Sequence, residues 1–456
     1  LGHSVLVCAP RWREEAQPRG ARPKVARMKF PGRRKSKHYF PVTDRGRVSF
    51  QDPGAEAAIY VVGFDQLLVD IEARVDVPML DALGIPKGQS VLLDDDTLER
   101  AYQELKRDGL IVGEFAGGSV GNTLHNYSVL ADDHSYLLGT ITHQITVGDY
   151  AFHYVRNTSS RVDLSYLHPV HGPMGRAVCL VTPDGERSFG VARGIMDEFP
   201  ESSISEELIS GASALLLTAY LLRDEKAPIF KATMRAIEYA NRASIPVILS
   251  LGTAALVREK RDFFIDLFRS CSVGLMAGNF DEVSTLTGKD DPFLAGEAAL
   301  DFADLVLLTR DYNGLYLCAW TDEEYKRETK DPILSKAIAE YNRFEYSRAM
   351  SKRDCISPRK IYSHINPYLG GPSVIRNTNG AGDAALAAVL HDIAANVHHR
   401  RVAPSSPKHR ARFITYSSIH QVCKYANRVS YEVLRRNSPR LSHGLPERED
   451  SLEESY

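Results

Sequence analysis

A three-layer α/β fold, with a mostly parallel central sheet flanked by helices and a small β lid, is predicted by three features of the sequence. From residue 58 onward, short β-rich runs alternate with amphipathic stretches of helix length, the pattern of parallel strands joined by crossover helices. Several of these runs are apolar throughout, as strands covered on both faces must be. Two further stretches are half-polar instead, and these supply the lid.

The main-sheet strands are expected at 58–64, 135–141, 214–220, 246–251, 273–277 and 304–309, with helices in 95–108, 121–131, 226–242 and 258–269. Within 65–77, Val69, Ile71, Ala73 and Val75 alternate with Asp70, Glu72, Arg74 and Asp76, a period of two that describes a half-exposed lid strand. Across 176–193, two β-rich runs flank Thr182-Pro183-Asp184-Gly185-Glu186, whose Pro, Asp and Gly suit a hairpin turn. The charged segment 321–375, rich in Tyr and Arg, reads as an insertion containing at least one helix. Segment 397–412 reads as a basic, proline-containing loop, and 446–456 as an acidic tail.

Composition narrows the function. No run among the 456 residues reaches the roughly 18 consecutive apolar residues of a membrane-spanning helix, so a soluble chain without a membrane partner is expected. A net charge of -2 excludes the overall basic balance of a nucleic-acid binder. Cys8, Cys179, Cys271, Cys318, Cys355 and Cys423 are far apart and form no C-x-x-C pair, which points to reduced thiols and a cytoplasmic location. Residues 1–27 read as a non-native or disordered leader, with Met28 as the natural start and 28–456 as one domain carrying the lid and the insertion. The run 4–10 is too short for the apolar core of a signal peptide. The eleven Lys or Arg between 11 and 37 read as a solvated arm, since aromatics are sparse there.

Chemistry concentrates in Asn377-Thr378-Asn379-Gly380-Ala381-Gly382-Asp383, which opens a helix-forming run. Gly380 and Gly382 let successive backbone N–H groups converge, and the helix adds the positive end of its dipole, so the segment can form an anion hole. Asp383 at its edge is placed to accept a proton from an attacking hydroxyl. A plain loop with Asp383 capping the helix explains the segment equally well. Asp65 follows the first strand, at the carboxyl edge where open α/β sheets bind ligands, and its oxygens suit ribose hydroxyls. Gly118 permits close approach, and Asn122 can both donate and accept. Asp70 is either a substrate contact from the lid or an exposed strand carboxylate. Arg223, past the strand at 214–220, either reaches substrate or is a surface arginine.

The glycine segment resembles the D-T-x-G-A-G-D signature of the ribokinase-like family of carbohydrate and purine kinases. Gly117-Gly118-Ser119-Val120-Gly121-Asn122 resembles that family's G-G-x-x-x-N element, and Asn279-Phe280-Asp281-Glu282 its N-x-x-E element, in family order over about residues 58–446. The stretches GFDQLLVDIEARV, AGGSVGNTLHNYSVLADD and RNTNGAGDAALAAVLHDI are similar to the inosine-guanosine kinase branch. The resemblance implies transfer of the ATP γ-phosphoryl group to the 5′-hydroxyl of inosine or guanosine, giving IMP or GMP in purine salvage. It implies Asp383 as general base, with Gly380, Ala381 and Gly382 as phosphoryl-binding N–H groups. Asp65, Asp70, Gly118, Ser119, Gly121, Asn122 and Arg223 fall on the substrate side, and Thr309, Gly314 and Asn427 on the ATP side.

Asn279 and Glu282, one helical turn apart, fit the water-rich shell of Mg²⁺ on nucleotide phosphates, although the same spacing makes a helix capping box. Two departures stand out. Asn377 replaces a common family Asp, which bears on a monovalent cation such as K⁺. Asp311 replaces the first glycine of a T-x-G-x-x-G element, which bears on the nucleotide loop. An adenosine or sugar kinase of the same fold, or a catalytically silent nucleoside-binding regulator, are the competing expectations. An exposed lid edge leaves a homodimer open.

Overall fold

Mostly apolar runs of two to nine residues assemble one large sheet, and the computed structural model describes residues 59–131, 133–330, 332 and 337–445. The leader 1–27, the start at Met28, the basic arm and the tail 446–456 lie outside the described residues. In chain order the strands are β1 (Tyr60–Phe64), β2 (Leu68–Arg74), β3 (Ser90–Leu92), β4 (Ile111–Ala116), β5 (His134–Thr142), β6 (Val162–Asp163), β7 (Leu167–Val170), β8 (Gly175–Val181), β9 (Arg187–Ala192), β10 (Leu215–Thr218), β11 (Val247–Ser250), β12 (Val273–Asn279), β13 (Leu305–Thr309), β14 (Leu315–Asp322) and β15 (Pro358–Ile365). The large sheet runs β15-β14-β13-β12-β11-β10-β1-β5-β6, with β7 also on β5. It is parallel from β6 through β13 and antiparallel across β13, β14 and β15.

Side-chain alternation divides the core into two layers. Val61, Leu216, Ile248 and Leu275 pack against the helices Ser119–Ala131, Ala381–Val402 and Ile419–Leu434. Val62, Leu215, Leu217 and Met276 face the helices Pro228–Arg242 and Arg261–Ser270. Helix Ala381–Val402 is buried around its circumference from Ala384 to Asn396, which explains its run of alanines: small side chains let it approach the sheet and two helices at once. This is the expected three-layer arrangement.

The second sheet, ordered β3-β9-β8-β2-β4, forms the lid. Val69, Ile71 and Ala73 of β2 bury against Leu98, Tyr102 and Leu105 of the helix Asp95–Arg107, so Leu68, Asp70 and Glu72 project from the opposite face. The turn after β8 closes with Gly185 N–H donating to Thr182 C=O.

Three expectations need correction. Segment 321–375 holds three single-turn 3₁₀ helices, at Glu323–Tyr325, Lys352–Asp354 and Tyr368–Gly370, but no α-helix among its described residues; β15 pairs with β14 along eight residues and extends the main sheet, because tertiary pairing outweighs a polar local composition. Residues 397–402 belong to the long helix, so the basic loop begins at Ala403. The helix expected at 258–269 breaks at Lys260 into Ala254–Glu259 and Arg261–Ser270.

Candidate active site

The carboxyl ends of the parallel strands and the polar face of the lid enclose one cluster of carboxylates. Asp65 follows β1 and is 1% exposed, and its Oδ2 accepts a hydrogen bond from Gly121 N–H at 2.9 Å. A Cβ at Gly118, where φ is +90°, would collide with that same oxygen, so only glycine fits there. Asp70 arrives from β2, and a Cβ at Gly117 would lie 2.7 Å from its Oδ2. Asp383 is half-buried in the first turn of its helix. Its Oδ1 accepts from Ser119 Oγ at 2.5 Å and its Oδ2 from Asn122 Nδ2 at 3.2 Å.

Burial decides the electrostatics. Desolvation pushes Asp65 and Asp70 up to about 7 and Asp383 up to about 6; the hydrogen bonds from Ser119 and Asn122 hold Asp383 down, as does the charge of Arg440. Arg440, like Arg187 of the lid, is a residue that local sequence reading missed. It is 5% exposed, stacks over the Tyr154 ring, and donates through Nε to Asn122 Oδ1 at 2.9 Å and through Nη1 to Asn157 C=O and Thr158 Oγ1. Asn122 therefore stands between a cation and a carboxylate, its oxygen turned to one and its nitrogen to the other.

The glycine loop forms the wall beside Asp383. Gly380 caps the helix with φ of +76°, and a Cβ there would lie 2.5 Å from Pro439 Cβ. The first helical bond is Ala384 N–H to Gly380 C=O, so the N–H groups of the first turn precede the helical ladder, with Gly382 exposed to open space. Asn377 keeps the loop ordered in its own way: Oδ1 accepts from Asn379 N–H and Nδ2 donates to Asn437 C=O, each at 2.8 Å. An aspartate could make only the first bond. Arg187 reaches down from β9 of the lid to Thr378 Oγ1 and Asn379 Oδ1, at 3.1 and 2.9 Å, which brings a cation to the rim of the glycine loop.

The remaining predicted residues are distributed along the same edge. Asn279 and Glu282 form a complete capping box, and the Glu282 carboxylate also accepts from Asn279 Nδ2 at 2.9 Å. Burial pushes Glu282 up to about 8, and the charge of Asp383 adds to this. Thr309 pairs with Asn279 across β12 and β13. Gly314 closes the following turn, where a Cβ would strike Ile365 C=O, while Asp311 takes up a φ of +38°. Asn427 is turned inward, its Oδ1 accepting from Tyr368 N–H and its Nδ2 donating to Asn366 C=O, so the amide clamps the segment after β15. Arg223 stacks on Tyr220, whose phenol feels the charges of Glu282 and Asp383, which places it at the cleft rim.

The fold is that of the ribokinase-like kinases: an adenosine kinase from Sinorhizobium meliloti superposes with a TM-score of 0.61 at 20% identity, covering 85% of this chain and 97% of that one. A ribokinase from Arabidopsis thaliana, complexed with ribose and ATP, gives 0.51 at 15% identity over 84% and 94% of the two chains. No protein-family model matches the chain. The guanosine-inosine kinase of Escherichia coli K12 is 53% identical over 432 residues, which are 94% of this chain and 99% of that protein. The chain belongs to the guanosine-inosine kinase family. No helix among the described residues is long and apolar enough to cross a membrane.

Proposed function

We propose that the protein transfers the γ-phosphoryl group of ATP to the 5′-hydroxyl of guanosine or inosine, giving GMP or IMP and ADP. The observation that carries this reading is the position of the Asp383 carboxylate in the first turn of a helix that begins with Gly380, Ala381 and Gly382, in a cleft walled by Asp65, Asn122 and the lid. Asp383 takes the hydroxyl proton as the oxygen attacks phosphorus. Its raised proton affinity, about 6, still leaves it ionised at neutral pH and makes it a better acceptor than an ordinary aspartate. Gly380, Ala381 and Gly382 hold the phosphoryl oxygens through backbone N–H groups, and Arg187 adds charge from the lid. Asp65, Asn122, Gly118 and Gly121 hold the ribose, with Asp70 closing over it; Ser119 positions Asp383. Thr309 and Gly314 line the nucleotide side, and Asn427 acts there through the segment it clamps.

Magnesium fits as a passenger of ATP. Among the described residues no three His, Cys, Asp or Glu side chains converge on a metal site, and Glu282 is a buried carboxylate that feels the charge of Asp383. Asn279 and Glu282 would orient the ion's water shell, while the phosphates supply direct ligands. The ion would neutralise phosphate charge. A monovalent cation is no part of this reading, because Asn377 spends its amide on Asn379 and Asn437.

Turnover of guanosine, inosine, adenosine, ribose and fructose 6-phosphate with MgATP tests the proposal. GMP and IMP are the expected products; no product from either nucleoside would overturn it, and product from adenosine or a sugar alone would favour another kinase of the same fold.

A further inference from the structure

The lid face that closes on the cleft carries an acidic side chain with no role so far. Glu72 stands two residues beyond Asp70 on β2, on the same face, and is half-buried. No hydrogen bond or ion pair among the described residues engages its carboxylate. Its orientation is fixed by its neighbours. Cys179, its register partner on β8, is 3% exposed and lies on the same face of the sheet as Glu72 and Asp70, and burial together with the nearby charges of Glu72 and Asp70 pushes its thiol up. Across β4 the partner of Glu72 is Gly113, and a Cβ there would lie 2.6 Å from the Phe115 ring. Phe115 itself pairs with Asp70, so its ring extends from beside Asp70 to beside Glu72 as a flat apolar floor.

Two residues of strand rise carry Glu72 about 7 Å past Asp70. We infer that a nucleoside whose ribose lies between Asp65 and Asp70 directs its base along the Phe115 ring toward Glu72, and that Glu72 selects the base: its carboxylate accepts the N1–H and 2-amino protons of guanosine and the N1–H of inosine. Adenosine presents an unprotonated N1 at that position, where two lone pairs would face each other. A carboxylate only accepts, so it discriminates by the donor pattern of the base edge, and Phe115 supplies a stacking surface indifferent to base identity. The inference rests on the proposed nucleoside kinase reading and deepens it by assigning base choice to one residue.

The test compares kcat/KM for guanosine, inosine and adenosine in the wild type, Glu72→Gln and Glu72→Ala. Ratios between nucleosides within one preparation do not depend on how much of it is folded. In both variants guanosine is expected to lose about 10- to 100-fold and inosine less, since one hydrogen bond is lost instead of two. In Glu72→Gln the amide can donate to adenine N1 and accept from its 6-amino group, so adenosine should gain. Guanosine-to-adenosine ratios that stay at the wild-type value in both variants would overturn the inference alone. Failure of the wild type to phosphorylate guanosine or inosine would overturn the underlying reading as well.

Discussion

Replacing Arg440 with methionine should move the pH dependence of the reaction. The methionine keeps the stem that packs on Tyr154 and removes the charge. Arg440 lowers the proton affinity of Asp383 and Asp70 directly, and its Nε fixes Asn122 Oδ1 at 2.9 Å, which keeps Asn122 Nδ2 aimed at Asp383. The direct effect on Asp383 is smaller than those of Ser119 and Asn122, but the variant also frees Asn122 to turn, so about one pH unit is a reasonable total. With Asp383 as the proposed proton acceptor the reactive form is the carboxylate, so kcat/KM is expected to rise with pH around 6. With that limb one unit higher, the ionised fraction at pH 6 falls from about one half to about one tenth, a roughly fivefold loss that disappears by about pH 8. The neighbouring carboxylates titrate as a group, so the limb belongs to the cluster. Arg440→Lys keeps the charge and should keep the limb while losing the orientation of Asn122. Stopped-time assays from pH 5.5 to about 9 read both variants. An acid limb unmoved in Arg440→Met, or a loss equal at every pH, would refute the electrostatic argument.

Other consequences follow from the same geometry. Gly118→Ala forces a Cβ into Asp65 at a φ of +90°; stability should fall by about 2 kcal/mol in urea titrations, and the KM for nucleoside should rise without a matching change for ATP. Arg187→Met removes the lid's cation from the Thr378–Asn379 rim, so kcat should fall about 10- to 100-fold, with nucleoside binding by calorimetry retained. Glu282→Gln should raise the free Mg²⁺ needed for half-maximal rate about tenfold, read by magnesium titration at fixed ATP.

Local chemistry was legible in the sequence where one short segment sets its own geometry. The loop at Gly380 and the turn at Gly118 announce themselves because positive φ and close approach restrict the choice to glycine. The large parallel sheet was legible because strands buried on both faces must be apolar along their whole length. Arg440 was not, since its partner Asn122 lies 318 residues away and nothing in a local pattern marks a buried guanidinium. The short lid strands β3 and β4 escaped for a related reason: Gly113 and Glu114 interrupt the pattern in β4, and pairing decides the outcome, with β2 for β4 and with β9 for the three-residue β3. Asn427 sits on the expected helix, but its side chain answers to Asn366 and Tyr368, which arrive from the end of β15. The capping-box and metal readings of Asn279 and Glu282 share one geometry, and the structure displays the first.

Asp383→Asn addresses the central claim most directly. The amide can turn its oxygen to Asn122 Nδ2 and its nitrogen to Ser119 Oγ, whose hydroxyl rotates to accept, so the fold and the ribose site survive. With guanosine and MgATP, kcat should fall about 10²- to 10⁴-fold while calorimetry finds nucleoside affinity within a few fold of wild type. A kcat equal to that of the wild type would contradict the assignment of Asp383 as the proton acceptor.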